Sequence, residues 1–111
     1  MDHIKREKRE EQVREVAARF IERESIRPQG SGALITVTRV QLDEKCRTGT
    51  IFFSVLPESE ESSALHFLKR QRPALREVMK KELSFFPIPF LDITIDEGEK
   101  SRQTIDALLK E

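Results

Sequence analysis

The segment that most restricts the fold is residues 34–56, LITVTRVQLDEKCRTGTIFFSVL, which contains two β-rich runs joined by a charged turn. In the first run the apolar residues change parity between Val37 and Val40. Side chains alternate between the two faces of a strand, so this change predicts a bulge or bend near Thr38 and Arg39. The first run is therefore predicted to be one bent strand.

The second run alternates without interruption. Its two sets of residues are Ile51, Phe53 and Val55 on one side and Thr50, Phe52 and Ser54 on the other. The turn at 43–47 is short enough to join two antiparallel strands, and Pro57 ends the second one. Together the two runs predict a β-hairpin.

The whole chain has 111 residues, 37% hydrophobic and 36% charged, which suits one domain spanning 1–111 with a modest core. Fraying is expected at residues 1–8 and 100–111. The formal net charge is +0, which argues against nucleic-acid binding by bulk electrostatics. Clustered basic and acidic segments nevertheless predict a protein with two differently charged sides.

The sequence also indicates where the protein resides. No apolar run approaches the ~20 residues needed to cross a bilayer, and the charged N-terminus lacks a signal-peptide core, so a cytoplasmic location without membrane contact is expected. Cys46 is the single cysteine, which excludes an internal disulfide and a cysteine-based zinc site. We expect it to be a small buried hydrophobic residue.

Helical periodicity appears on both sides of the hairpin. The first helix is predicted from the apolar set Val13, Val16, Ala17, Phe20 and Ile21. A loop is predicted at 27–32, where proline and glycines break the pattern. After the hairpin, Ser59 is predicted to cap a short helix through Arg70, and Pro73 to occupy the first position of a further helix.

The C-terminal third adds a strand and a short tail. Leu91, Ile93 and Ile95 alternate with polar residues, which predicts a third strand, and Ile105, Leu108 and Leu109 suggest a short terminal helix. The predicted order is α-β-β-α-α-β plus a short C-terminal helix. We predict an α+β fold with helices on one face of a three-stranded sheet, an order that matches a type II KH-like domain.

A family resemblance becomes specific at this point, because several motifs occur together in order. They are Thr38-Arg39-Val40, Arg47, Ser54-Val55-Leu56, Leu68-Lys69, Leu75-Arg76, Pro89, Leu91, Asp96 and Ile105-Asp106-Ala107-Leu108-Leu109. With these motifs the chain resembles the ribosome-binding factor A family over about its whole length.

The resemblance implies a non-enzymatic assembly factor. Such a protein would bind the immature small (30S) ribosomal subunit and its 16S rRNA, and would support late maturation and rRNA processing, particularly in the cold. It would need no cofactor, metal or small-molecule substrate. Nothing in the sequence demands more than a monomer.

The resemblance also points to a candidate RNA site. The family carries an Ala-x-Gly helix–kink–helix where ordinary KH domains have a Gly-x-x-Gly loop. Here the aligned positions are Gln71, Arg72 and Pro73, so we expect proline to keep the kink. Free N–H groups at the start of the following helix, flanked by Arg72 and Arg76, could hold a phosphate, and Arg70 and Lys69 would enlarge the patch. Taken alone, this charge cluster admits a second interpretation as a solvated helix surface, and the family resemblance favours the phosphate site.

Other cations admit two interpretations. Lys80 and Lys81 either complete the basic face or simply satisfy a helix C-terminus. Arg39 and Arg47 either touch phosphate or pair with a neighbouring carboxylate. The N-terminal cations are either an RNA-facing arm or a frayed helix end stabilised by interleaved glutamates. They are Lys5, Arg6, Lys8 and Arg9, and the glutamates are Glu7, Glu10 and Glu11.

Two other functions compete with RNA binding. A KH-like protein-interaction module that has lost RNA binding is permitted by the zero net charge and the missing glycine. A small hydrolase lacks a convincing nucleophile, and His3 and His66 are too far apart in sequence to suggest a metal or catalytic pair. The phenylalanines Phe85, Phe86 and Phe90 are predicted to pack in the core or staple a connector, rather than to stack on bases.

Overall fold

The computed structural model describes residues 3–25 and 33–98 of the chain. Its elements are α1 (His3–Ser25), β1 (Leu34–Leu42), β2 (Thr48–Leu56), a 3-10 turn (Glu58–Glu60), α2 (Glu61–Arg70), α3 (Arg72–Glu82) and β3 (Phe90–Ile95). This order agrees with the predicted one. The predicted loop at 27–32 and terminal helix at 105–109 lie outside the described residues. Fraying was expected at residues 1–8, but α1 begins at His3, so residues 3–8 are helical.

The three strands form one sheet in the order β1-β2-β3. β1 and β2 pair antiparallel, and their register shifts between Val37 and Arg39, which confirms the predicted bulge. β2 and β3 pair parallel. A parallel pair needs a crossover connection, and here α2 and α3 provide it.

One face of the sheet is buried under the helices. On β2, Ile51, Phe53 and Val55 are buried, whereas the intervening residues are only half-buried. The helices contribute the remaining core. Their buried residues include Val13, Val16, Ala17, Phe20 and Ile21 from α1, Ala64 and Leu68 from α2, and Leu75 and Met79 from α3. Each large apolar side chain buried this way stabilises the fold by about 1.5–3 kcal/mol.

A buried carboxylate joins the bulge of β1 to the end of β3. Asp96 is 4% exposed, and its Oδ2 accepts hydrogen bonds from Thr38 Oγ1 at 2.5 Å and from Arg39 Nε at 3.3 Å. Its backbone N–H donates to the Phe53 carbonyl oxygen at 2.8 Å. The bulge thus aims Thr38 at the one buried charged group among the described residues.

Two predicted helix starts are corrected. Ser59 is not an N-cap, because it lies in the 3-10 turn and α2 begins at Glu61 without a side-chain cap bond. Pro73 is the second residue of α3, since Arg72 is the first and Gln71 occupies the N-cap position. The proline still lies in the first turn, where a missing N–H breaks no helical hydrogen bond.

The three phenylalanines around the connector between α3 and β3 differ in burial. Phe85 packs partly against the core, but Phe86 is 83% exposed and Phe90 is 66% exposed. Core packing was therefore the wrong prediction for these two rings. Cys46, by contrast, is 1% exposed and confirms the prediction of a buried residue. No helix within residues 3–25 and 33–98 has the length and apolar content needed to span a membrane.

Gly49 lies in β2 between its two neighbouring strands, and a side chain there has no space. A Cβ would lie 2.6 Å from Leu42 Cδ2 and 2.8 Å from the Gln41 carbonyl oxygen, which cannot rotate away. We expect Gly49→Ala to lower the free energy of unfolding by about 1–3 kcal/mol, measured by urea unfolding. Gly98→Ala is the control, because among the described residues its Cβ would meet a side-chain atom, Asp96 Oδ1 at 3.3 Å, and no backbone atom within 4 Å. Equal unfolding curves for the two variants would contradict the steric explanation.

The turn between β1 and β2 depends on Asp43. Its Oδ1 accepts hydrogen bonds from the N–H groups of Arg47 at 2.7 Å and Thr48 at 3.1 Å. These bonds, with that of Thr48 the larger cause, lower the pKa of Asp43 below its usual 3.8. The turn also places Cys46 at a φ of 56°, a left-handed conformation that usually favours glycine.

The lowered pKa of Asp43 predicts a pH dependence of stability. A carboxylate preferred in the folded state contributes its stabilisation above the unfolded pKa and loses it as the pH falls through the folded pKa. Asp43→Asn should therefore reduce the urea midpoint near neutral pH, and its difference from the wild type should shrink as the pH falls below 3.8. Urea unfolding of both proteins at about pH 6 and about pH 3 measures this. A difference that stays constant would contradict it.

Candidate nucleic-acid interface

A single residue, Gln71, separates α2 from α3. The other two residues of the predicted kink, Arg72 and Pro73, are the first two residues of α3. The Gln71 N–H donates to the carbonyl oxygens of Leu68 at 3.0 Å and Phe67 at 3.2 Å, and its own carbonyl oxygen accepts the Leu75 N–H at 2.9 Å. Gln71 has a φ of −84°, which any L-residue adopts. The kink in this chain therefore does not require glycine at this position.

The start of α3 offers two backbone N–H donors among its first three residues. Three residues, Arg72, Pro73 and Ala74, precede the helical hydrogen bond donated by Leu75. Pro73 has no N–H, so two of these three positions carry a donor. A phosphate at this helix start would depend mainly on side chains.

An open pocket of about 440 Å³ lies between the first half of α3 and the start of β3. It is lined by Arg72, Pro73, Leu75, Arg76, Met79, Pro89, Phe90 and Leu91. We call this pocket the α3–β3 groove. Its floor is apolar and two arginines stand on its rim, so it can accept a flat apolar group attached to an anionic one.

Two of the three predicted arginines of the kink region, Arg72 and Arg76, lie at this groove, and both already have partners. Arg72 Nη1 forms an ion pair with Asp92 Oδ1 at 3.1 Å. Arg76 Nη1 donates to the Pro89 carbonyl oxygen at 3.1 Å, and its guanidinium carbon lies 4.2 Å from the centre of the Phe90 ring. The Arg72 pair is exposed, so it contributes only about 0–1 kcal/mol and a phosphate could displace the carboxylate.

The other kink-region cations are placed differently. Lys69 and Arg70 form the last turn of α2, directly before the kink, and both are exposed. Lys80 and Lys81 lie in the last turn of α3, about 12 Å along the helix axis from its start. Lys80 forms an ion pair with Glu77 at 3.3 Å. The structure therefore does not bring these two lysines to the rim of the α3–β3 groove.

Arg39 and Arg47 both form contacts within the fold. Arg39 pairs with Asp96 and lies 3.7 Å from the centre of the Phe52 ring, so the carboxylate alternative holds for it. Arg47 contributes its backbone, because its N–H donates to Asp43 and its carbonyl oxygen accepts the Phe90 N–H at 2.9 Å. This bond ties the β1–β2 turn to the start of β3.

The N-terminal part of α1 has a basic stripe. Lys5, Lys8, Arg9 and Gln12 follow the spacing of one helical face. Gln12 is hydrogen-bonded to Ser84, and the Arg9 guanidinium lies 4.6 Å from the centre of the Phe85 ring. The face that carries the stripe therefore meets the connector between α3 and β3. Arg6 lies beside the stripe, and its Nη2 is 3.4 Å from His3 Nδ1.

The interleaved glutamates lie on the other side of α1. Glu7 contacts His3 Nε2 at 2.8 Å, and Glu10 accepts the Leu42 N–H at 2.8 Å. Glu11 binds Arg14, which lowers the pKa of Glu11 through hydrogen bonding and charge. The β1 side of α1 thus carries the three glutamates together with Arg14, whereas Lys5, Lys8 and Arg9 lie on the connector side.

Two solved structures, from Thermus thermophilus and Thermotoga maritima, are similar in fold. Ribosome-binding factor A from Thermus thermophilus superposes with a TM-score of 0.69, covering 81% of this chain and 94% of that chain at 21% identity. A Thermotoga maritima protein solved by NMR gives a TM-score of 0.65, covering 77% of this chain and 80% of that chain at 19% identity. At these identities the likeness establishes a shared small α+β fold.

Sequence comparison identifies the family. The profile of ribosome-binding factor A matches residues 5–109. A protein of that name from Natranaerobius thermophilus is 27% identical over 112 residues, covering all of this chain and 84% of the relative. Its counterpart in Thermodesulfovibrio yellowstonii is 34% identical over 77 residues, covering 69% of this chain and 65% of the relative. The chain belongs to the ribosome-binding factor A family, as the resemblance predicted.

Proposed function

We propose that this protein is a non-catalytic ribosome assembly factor that binds the immature 30S subunit through its 16S rRNA. It would support late maturation and rRNA processing, with the greatest need in the cold, and would act as a cytoplasmic monomer without a cofactor. Family membership supports this proposal. The observation that carries it is the pair Arg72 and Arg76 on the rim of the apolar α3–β3 groove.

In this proposal the fold is a type II KH-like domain, and Gln71 to Pro73 take the place of its RNA-clamping loop. The arginines would contact phosphates while unpaired bases lie on the apolar floor. No bond in the RNA is made or broken. The protein would hold an immature rRNA conformation by occupying it, and its affinity would fall as salt rises.

Replacement of the two rim arginines tests this proposal. Arg72→Gln/Arg76→Gln should weaken cosedimentation with immature small subunits and reduce the salt dependence of binding by roughly one unit of slope per lost phosphate contact. Glutamine is preferable to glutamate here, because a glutamate at position 72 would face Asp92 and add repulsion to the fold.

The matched control is Arg19→Gln/Arg23→Gln, which removes the same charge from the C-terminal half of α1. It should bind like the wild type. Thermal melts of all three proteins show whether they remain folded. Equal losses of binding in both double variants would mean that net charge, and not the groove, determines association, and would overturn the proposed site.

Asp92 provides a prediction of the opposite sign. It competes with phosphate for Arg72, so Asp92→Asn should tighten binding to subunits, by up to about fivefold, the value of a surface ion pair. The measurement is the dissociation constant at low salt. Weaker binding by Asp92→Asn would contradict competition at the groove.

A second candidate function is a protein-interaction module without RNA binding. The zero net charge and the Arg72–Asp92 pair favour it, since both reduce attraction for a polyanion. The two candidates differ with protein-free 16S rRNA as the ligand. Binding to intact subunits but not to the naked rRNA would favour the interaction module.

A further inference from the structure

The connector between α3 and β3 is fixed on the surface of α1. Ser84 donates its N–H to Gln12 Oε1 at 2.7 Å, and Gln12 Nε2 donates to Ser84 Oγ at 2.9 Å. On either side of its exposed part, Leu83 and Ile88 are buried in the core. The connector is therefore held by a side-chain pair and by two apolar anchors.

This fixed connector displays an aromatic ring to solvent. Phe86 is 83% exposed, the highest value among the exposed large hydrophobic residues of the described chain. Its neighbour Phe85 is half-buried beneath Arg9. An exposed phenylalanine forgoes the stabilisation of about 1.5–3 kcal/mol that burial would give, so packing does not explain the ring at position 86.

The ring lies on the side of α1 that carries the basic stripe. Gln12, which holds Ser84, follows Lys8 and Lys5 by one and two helical turns on the same face, and Arg9 covers Phe85. Lys5 and Lys8 are exposed. Glu7, Glu10 and Glu11 lie on the opposite side of α1, where they bond to His3, the Leu42 N–H and Arg14.

We propose that Phe86 and the basic stripe form a second RNA contact, in which an unpaired base of single-stranded RNA stacks on Phe86 and its flanking phosphates meet Lys5, Lys8 and Arg9. This proposal rests on the proposed function and names the RNA class, an unpaired strand, that the second surface takes. Charge complementarity selects the occupant. A base offers a flat face to a lone ring, and its backbone supplies the anions that the stripe attracts.

The chain contains no tryptophan, which allows a direct test. Phe86→Trp would carry a single fluorophore at the proposed stacking position. Titration with a short unstructured oligoribonucleotide should quench its fluorescence, and the same backbone without bases should not. Leu34→Trp is the matched control, because Leu34 is 62% exposed and lies near the other end of α1. Equal quenching at both positions would overturn the proposal.

Affinity measurements complete the test. Phe86→Ala should weaken binding to the oligoribonucleotide about tenfold, in line with the loss of one stacked base. Lys5→Gln/Lys8→Gln should lower the salt slope. If Phe86→Ala weakens binding to small subunits but leaves RNA binding unchanged, the ring contacts a ribosomal protein and the proposal is wrong.

The same assays separate this proposal from the proposed function. Arg72→Gln/Arg76→Gln reports on the α3–β3 groove. It removes the Arg76 bond to Pro89 at the end of the connector but keeps the Gln12–Ser84 bonds that hold the connector on α1. Loss of binding in that variant together with wild-type binding by Phe86→Ala would overturn the second contact and leave the first standing. Absence of RNA binding by the wild type would overturn both.

Discussion

The parallel pairing of β2 with β3 is the constraint on which the rest of the structure depends. Two parallel neighbours cannot be joined by a tight turn, so the chain must cross the sheet, and α2 and α3 form that crossing. The crossing brings the start of α3 against the start of β3 and creates the α3–β3 groove. Backbone hydrogen bonds fix both ends of β3: the Phe90 N–H donates to the Arg47 carbonyl oxygen, and the Asp96 N–H donates to the Phe53 carbonyl oxygen.

Much of this architecture could be predicted from the sequence, because it follows from short-range patterns. The parity change before Val40 located the bulge, and helical periodicity located α1. Helix starts were less predictable. Ser59 and Pro73 are residue types that suit several neighbouring positions. The 3-10 turn that displaces the start of α2 past Ser59 has no strong sequence signal of its own.

The residues of the candidate site could be predicted from the sequence, but their hydrogen-bond and ion-pair partners could not. The kink residues and the rim arginines were found from the sequence, whereas the partners of Arg72 and Arg76 come from β3 and the segment before it and depend on the tertiary fold. The exposure of Phe86 was missed because its apolar surroundings have no period that assigns a face. The spacing of Lys5, Lys8 and Arg9, by contrast, was a readable signal of the basic stripe.

The division of charge across α1 has a consequence for how the protein meets a partner. With a net charge of zero, a distant polyanion exerts little overall pull on the molecule. Lys5, Lys8 and Arg9 still lie on the connector side of α1, and Glu7, Glu10 and Glu11 lie on its β1 side. The local field therefore differs between the two sides and acts over about one Debye length, ~8 Å at physiological salt. The encounter would thus be selected by orientation: the connector side arrives first, the glutamate side is turned away, and collisions in the wrong pose separate quickly. A net charge of zero would thus favour selection of the correct orientation over a high association rate.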